Sequence, residues 1–193
     1  MATIFESIQA GDVEAVRAAV AEDPAAASAR NDQGLSAVRA ALYDQKQDVA
    51  DVILEAKPEL DVFDAAAAGD VDRLTELLDG DADLIKAYSE DGYTPLHFAA
   101  FFKQGAAVRL LLDRGADVGA VSRNDMEVQP LHSAVAAQAR QVVAALLQAG
   151  ADVNARQKGG FTPLMGAEQN EDEEIVRLLM DHGAEEAAAP PTD

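Results

Sequence analysis

The 193-residue sequence contains no cysteine, which excludes disulfides, thiol catalysis and thiolate metal sites. Basic residues are scarce: 15 Lys and Arg stand against 35 Asp and Glu, for a formal charge of -20. Such a surface repels phosphate backbones and acidic lipids, so neither nucleic acid nor a membrane is expected as a partner. No apolar run reaches the roughly 18 residues needed to cross a bilayer, and Met1-Ala2-Thr3-Ile4-Phe5-Glu6 lacks the basic start of a secretion signal. A cytoplasmic protein is expected. Also missing are His-Glu-x-x-His, Gly-x-Ser-x-Gly and any phosphate-cradling Gly-rich loop with Lys. No catalytic residue, metal ligand or cofactor is assigned. What remains is an apolar content of 49%, enough for a core in one or two domains.

That apolar content is periodic. Val108-x-x-Leu111-Leu112-x-x-Gly115-Ala116-Asp117 returns as Val143-x-x-Leu146-Leu147-x-x-Gly150-Ala151-Asp152 and as Val176-x-x-Leu179-Met180-x-x-Gly183-Ala184, the glycines 35 and 33 residues apart. Ahead of these stand Thr94-Pro95-Leu96-His97-x-Ala99-Ala100, Gln129-Pro130-Leu131-His132-x-Ala134 and Thr162-Pro163-Leu164-Met165, at the same two steps. Thr caps a helix and Pro suits its first position, where the missing N–H costs nothing. Gly closes a second helix. An apolar stripe of only Val, Leu and Leu is too narrow to be stable alone, so each unit must stack on a neighbour.

Residues 89–185 thereby resemble the ankyrin repeat family, with its period of 33 residues and Thr-Pro-Leu-His-x-Ala core. The resemblance implies an all-α solenoid of stacked helix-turn-helix units joined by short β-hairpin fingers. Upstream the pattern is degenerate. Residues 32–41 keep the frame, with Ser36 as cap and Ala37 in place of proline, and an outer helix at 49–56. Two units have no Thr-Pro finger and carry Gly11-Asp12-Val13 and Gly69-Asp70-Val71 between their helices. Gly11 to Gly69, Gly34 to Gly92 and Ser36 to Thr94 are all 58 apart, as though a fingerless and a fingered unit had been duplicated. The expected division is a fingerless N-terminal cap at 1–29, a degenerate repeat at 30–57, a shortened fingerless repeat at 58–88, repeats at 89–122, 123–156 (with a finger two residues longer) and 157–185, and a disordered tail at 186–193. Asp23, Lys57, Asp81, Gly115, Gly150 and Gly183 are taken as equivalents. Loss of the finger in the third unit should break the finger ladder between residues 31–36 and 89–94.

Candidate chemistry is thin. The resemblance implies that His97 and His132 bridge backbone groups of neighbouring turns; one unit apart, about 10 Å, they are too distant to share a metal. Asp79-Gly80-Asp81-Ala82-Asp83 alternates carboxylates like a calcium loop, but lacks Gly at the sixth position and has Leu84-Ile85 where ligands belong. It reads as a solvated turn. The run from Glu171 to Glu174 suits a helix N-terminus.

Binding is better supported. The resemblance implies a partner protein held in the concave groove by finger tips and exposed inner-helix positions. The residue before each Thr position is Leu35, Tyr93, Val128 or Phe161, all apolar. Phe101-Phe102 is an adjacent aromatic pair on a short helix, and both rings cannot point into one core stripe; one should protrude over flanking alanines as an anchor. Tyr43 occupies the same place in the second unit. The longer finger adds Arg123 and Met126. Candidate partner-binding residues are therefore Tyr43, Tyr93, Phe101, Phe102, Arg123, Met126, Val128 and Phe161.

Charge is uneven. Residues 123–157 carry 3 basic and 3 acidic groups, while 61–122 carry 5 and 12 and 158–193 carry 2 and 9. A basic-rimmed partner with an apolar centre would complement a neutral centre between acidic shoulders. The expected protein is a monomeric, non-catalytic interaction module, with a dedicated regulatory or inhibitory subunit of one enzyme as the alternative. Its Ala-rich, cysteine-free composition is bacterial in type.

Overall fold

Asp12 explains how the chain first turns back on itself. Its carboxylate accepts the Ala15 N–H at 3.0 Å and opens a helix one residue after Gly11 has closed the one before. The computed structural model describes residues 3–186, and within them this helix-turn-helix event occurs six times. The pairs are α1 (Ile4–Ala10) with α2 (Val13–Glu22), α3 (Ala37–Tyr43) with α4 (Gln47–Glu55), α5 (Val62–Ala68) with α6 (Val71–Gly80), α7 (Pro95–Phe101) with α8 (Gly105–Asp113), α9 (Pro130–Ala136) with α10 (Arg140–Gln148), and α11 (Pro163–Gln169) with α12 (Glu173–Asp181). The helix expected at 49–56 begins two residues earlier and ends one earlier.

Every turn inside a pair contains one left-handed residue: Gly11, Gln45, Gly69, Lys103, Gln138 and Glu171, with φ between 55° and 74°. Their spacing is 34, 24, 34, 35 and 33 residues. The expected equivalence of Asp23 and Asp81 with the closing glycines needs correction. Lys57, Gly115, Gly150 and Gly183 are left-handed, whereas Asp23 and Asp81 are extended. Each of these two instead caps a 3₁₀ helix, Pro24–Ser28 and Ala82–Lys86, by accepting the N–H two residues on.

The odd-numbered helices form one row, each packed on the next from α1 to α11. The even-numbered helices form a second row, packed α2 on α4 and then α6 on α8, α10 and α12, while α4 and α6 have little contact. The core lies between the rows. Leu111, Leu146 and Leu179, the first leucines of the repeated stripe, are fully buried, and truncating any of them to alanine should cost roughly 2–5 kcal/mol. The next position varies: Leu112 is half-buried, Leu147 buried and Met180, in the sixth pair, exposed.

The fingers are shorter than hairpins. Each is a turn closed by two backbone bonds, such as Ser89 N–H to Tyr93 O and Gly92 N–H to Ser89 O, both 2.9 Å. Among the described residues the β-structure is a single antiparallel bridge between Arg30 and Ser36. Two bonds are too few for a ladder of paired strands. Fingers 89–94 and 122–129 are joined by Arg123 N–H to Gly92 O at 2.8 Å, and fingers 122–129 and 157–162 by Lys158 N–H to Met126 O at 3.1 Å. Fingers 31–36 and 89–94 share no backbone bond among the described residues. Of the tail expected to be disordered, 187–193 lies outside the described residues.

Candidate functional site

His97 and His132 are buried, and each links the start of its own helix to the finger that follows. The Thr94 backbone N–H points at His97 Nδ1 at 3.2 Å, so that nitrogen holds a lone pair and Nε2 donates to the Val128 carbonyl at 3.0 Å. His132 repeats this one pair along, from Gln129 N–H at 3.2 Å to Phe161 O at 3.4 Å. Each imidazole thus ties a helix start to the following finger. Burial pushes His97 down to about 4 despite its bond to Val128, and burial likewise lowers His132. Both rings are neutral at pH 7.

The second pair has no following finger to reach. In its place Arg39, at the position of His97, donates from Nε to Asp64 Oδ1 at 2.7 Å, and both side chains are buried. Asp64 also accepts from Ser36 Oγ at 2.7 Å and from Arg30 Nη2 at 2.7 Å. A side-chain network stands where the missing finger would have been. Arg39 lies over Phe98, 5.2 Å from its ring centroid.

A cavity of about 370 Å³ opens above the two histidines, between α7, α9 and α11 and the last three fingers. Its origin is a row of decreasing size. Phe98, Ser133 and Gly166 occupy the same place in successive pairs and shrink in that order, and Phe101 is followed one pair along by the small Ala136. Aromatic rings therefore wall one end and small residues leave space beyond. A Cβ on Gly166 would approach Val135 Cγ1 to 3.2 Å, so even a methyl group crowds the floor. No Asp, Glu, Lys or Arg lines this cavity.

Six of the eight residues expected at the partner surface line it: Tyr43, Tyr93, Phe101, Met126, Val128 and Phe161. Tyr93 is half-buried against Phe98 and His97, its hydroxyl 3.7 Å from Met126 Sδ of the next finger. Met126 and Phe101 are exposed, while Val128 is buried and contributes to the inner wall. Phe102 and Arg123 do not line it. Phe102 packs edge-on against Tyr43 at 5.0 Å and Phe101 at 5.2 Å. Arg123 stacks over Tyr88 at 3.8 Å and fastens one finger to the next.

Phe101 does not stand over bare alanines as the sequence suggested. The buried alanines of α5 let Tyr43 reach across from α3, 6.0 Å from Phe101 between ring centroids. Tyr43 thus closes the groove at the third pair. Burial and then the charge of Asp91 push its phenol up to about 12, so it stays neutral at physiological pH. Phe98, Ser133 and Gly166 escaped the sequence reading, although their size gradient was visible at equivalent repeat positions.

The carboxylates of the calcium-like run are dispersed among structural tasks. Asp79 pairs with Arg114 at 2.7 Å, Asp83 with Lys86 at 2.9 Å, and Asp81 caps its 3₁₀ helix. Among the described residues no group of three metal-ligating side chains gathers, and no helix is long and apolar enough to cross a membrane.

A family model described as "Ankyrin repeats (3 copies)" matches residues 62–157 and 122–189. The chain belongs to the ankyrin repeat family. The match starts at Val62, the first residue of α5, and so takes in the fingerless third pair together with the three fingered pairs that build the cavity. Ankyrin repeats generally mediate protein–protein interaction and are typically non-catalytic. No curated protein matches the chain significantly.

Proposed function

We propose that this ankyrin repeat protein is a non-catalytic binding module whose partner protein inserts an apolar side chain into the cavity between α7, α9, α11 and their fingers. The observation that carries this reading is an uncharged cavity in a protein of formal charge -20. Burying one large apolar side chain there is worth roughly 1.5–3 kcal/mol, and a preformed stack loses little ordering entropy on binding. The acidic shoulders on either side favour a partner with a basic rim.

Ala136→Trp tests this directly, because Ala136 is exposed at the mouth of the cavity and a large ring there fills it without entering the core. Wild type and variant, both folded by circular dichroism, are used to capture partners from lysate at two salt concentrations. A protein retained by wild type and lost with Ala136→Trp supports the reading. Equal retention by both moves the contact away from the cavity.

A further inference from the structure

The missing finger leaves a second opening, and its edges carry unused bonding groups. In the stacked fingers, Arg123 and Lys158 lend their N–H groups to the preceding finger. Glu90 holds the same place in finger 89–94, and its N–H has no hydrogen-bond partner among the described residues. On the opposite edge Gly34 O corresponds to Gly92 O, the acceptor of Arg123. Among the described residues it accepts only from the guanidinium of Arg30, at 3.0 Å.

Between these edges lies a cleft of about 520 Å³ that shares Tyr43 with the apolar cavity and is also lined by Phe63 and Tyr88. Its charges do not cancel. Arg30 is held by Asp61 at 2.8 Å and Asp64 at 2.7 Å, and Arg39 by Asp64 at 2.7 Å. Among the described residues Glu90 and Asp91, both exposed, take part in no ion pair. The Asp91 carboxylate accepts from Ser89 Oγ. The Glu90 carboxylate crosses toward Gly34, 2.6 Å from where a Cβ on that residue would sit, and among the described residues no hydrogen bond holds it. It is free to swing aside.

We propose that this cleft receives an extended segment of the partner protein bearing an arginine or lysine. The segment supplies the missing finger. One of its main-chain carbonyls accepts the Glu90 N–H, and its cation lies between the Glu90 and Asp91 carboxylates beside Tyr43. Acidic or phosphorylated segments are repelled by the same pair of carboxylates. The proposal rests on the protein-binding reading and adds a second contact next to the apolar one, joined to it through Tyr43.

The probes are three short peptides, acetyl-Val-Arg-Val-amide and its Gln and Glu counterparts, titrated into the ¹⁵N-labelled full chain. The Arg peptide should shift the amide signals of Gly34, Glu90 and Asp91, slow hydrogen exchange at Glu90, and bind about ten-fold more tightly than the Gln peptide. Glu90→Gln/Asp91→Asn, which alters only exposed side chains, should remove that preference, whereas Ala136→Trp should leave it intact. No shift with the Arg peptide, equal binding of all three, or shifts confined to cavity residues overturns the proposal. Because the Ala136→Trp chain still reports on the cleft, failure of the cavity reading and failure of the cleft are separate results.

Discussion

Arg39 Nε lies 2.7 Å from Asp64 Oδ1, and this buried pair joins α3 to α5 at the one place where the fingers do not meet. In α7 and α9 a histidine reaches the carbonyl of the following finger; here a cation reaches an anion. The substitution of one device for the other follows from the deletion, since a carbonyl on an absent finger cannot accept.

Asp64→Asn should therefore be severe. It leaves Arg39 buried without a counter-charge and weakens Ser36 and Arg30 at once, at a cost of about 3–5 kcal/mol. Arg39→Met/Asp64→Leu, which removes both charges, should recover most of that loss. Urea denaturation of the three chains measures it, and a double variant no better than the single would show that packing, rather than charge, dominates the site.

The depressed His97 sets a pH dependence. With a folded value of about 4 against an ordinary 6.5, the unfolded chain takes up a proton below about pH 6.5 that the folded chain refuses. Stability is complete above that pH, falls as the pH drops toward 4, and levels off below it, a change of about 3 kcal/mol from this group. His97→Gln keeps an acceptor and a donor in place but cannot titrate. The stability difference between wild type and His97→Gln should decline across pH 6.5 to 4, and parallel curves would contradict the assignment.

Gln129 stands where α7 and α11 have threonine caps, and its buried Oε1 has no hydrogen-bond partner among the described residues. Gln129→Thr supplies a short hydroxyl at the helix start and removes the stranded oxygen. Thermal unfolding should report a gain of about 1 kcal/mol.

Much of this was legible in local sequence. Thr162 and Ser36 cap their helices through side-chain oxygens, at 3.3 Å to Met165 N–H and 3.1 Å to Arg39 N–H. The Gly-Asp-Val turns are a left-handed glycine followed by an aspartate cap, as Gly69 and Asp70 illustrate. What escaped depends on residues distant in the chain. Asp64 reads as an ordinary acidic residue until Arg39 and Arg30 are brought to it, and Tyr43 as a free groove residue until α5 proves narrow enough to cross. Asp23 and Asp81 matched the repeat spacing but not its geometry, because a carboxylate able to cap a 3₁₀ turn draws the backbone into an extended conformation.

The weak meeting of α4 and α6 gives the solenoid unequal stiffness along its length. Bending that parts α4 from α6 separates little packing in the even-numbered row, whereas bending from α6 to α12 pries apart buried leucines such as Leu111 and Leu146. Load applied to the ends parts the even-numbered row between α4 and α6 first, and because Tyr43 of α3 walls the cavity, that bending moves one wall of it against Phe101.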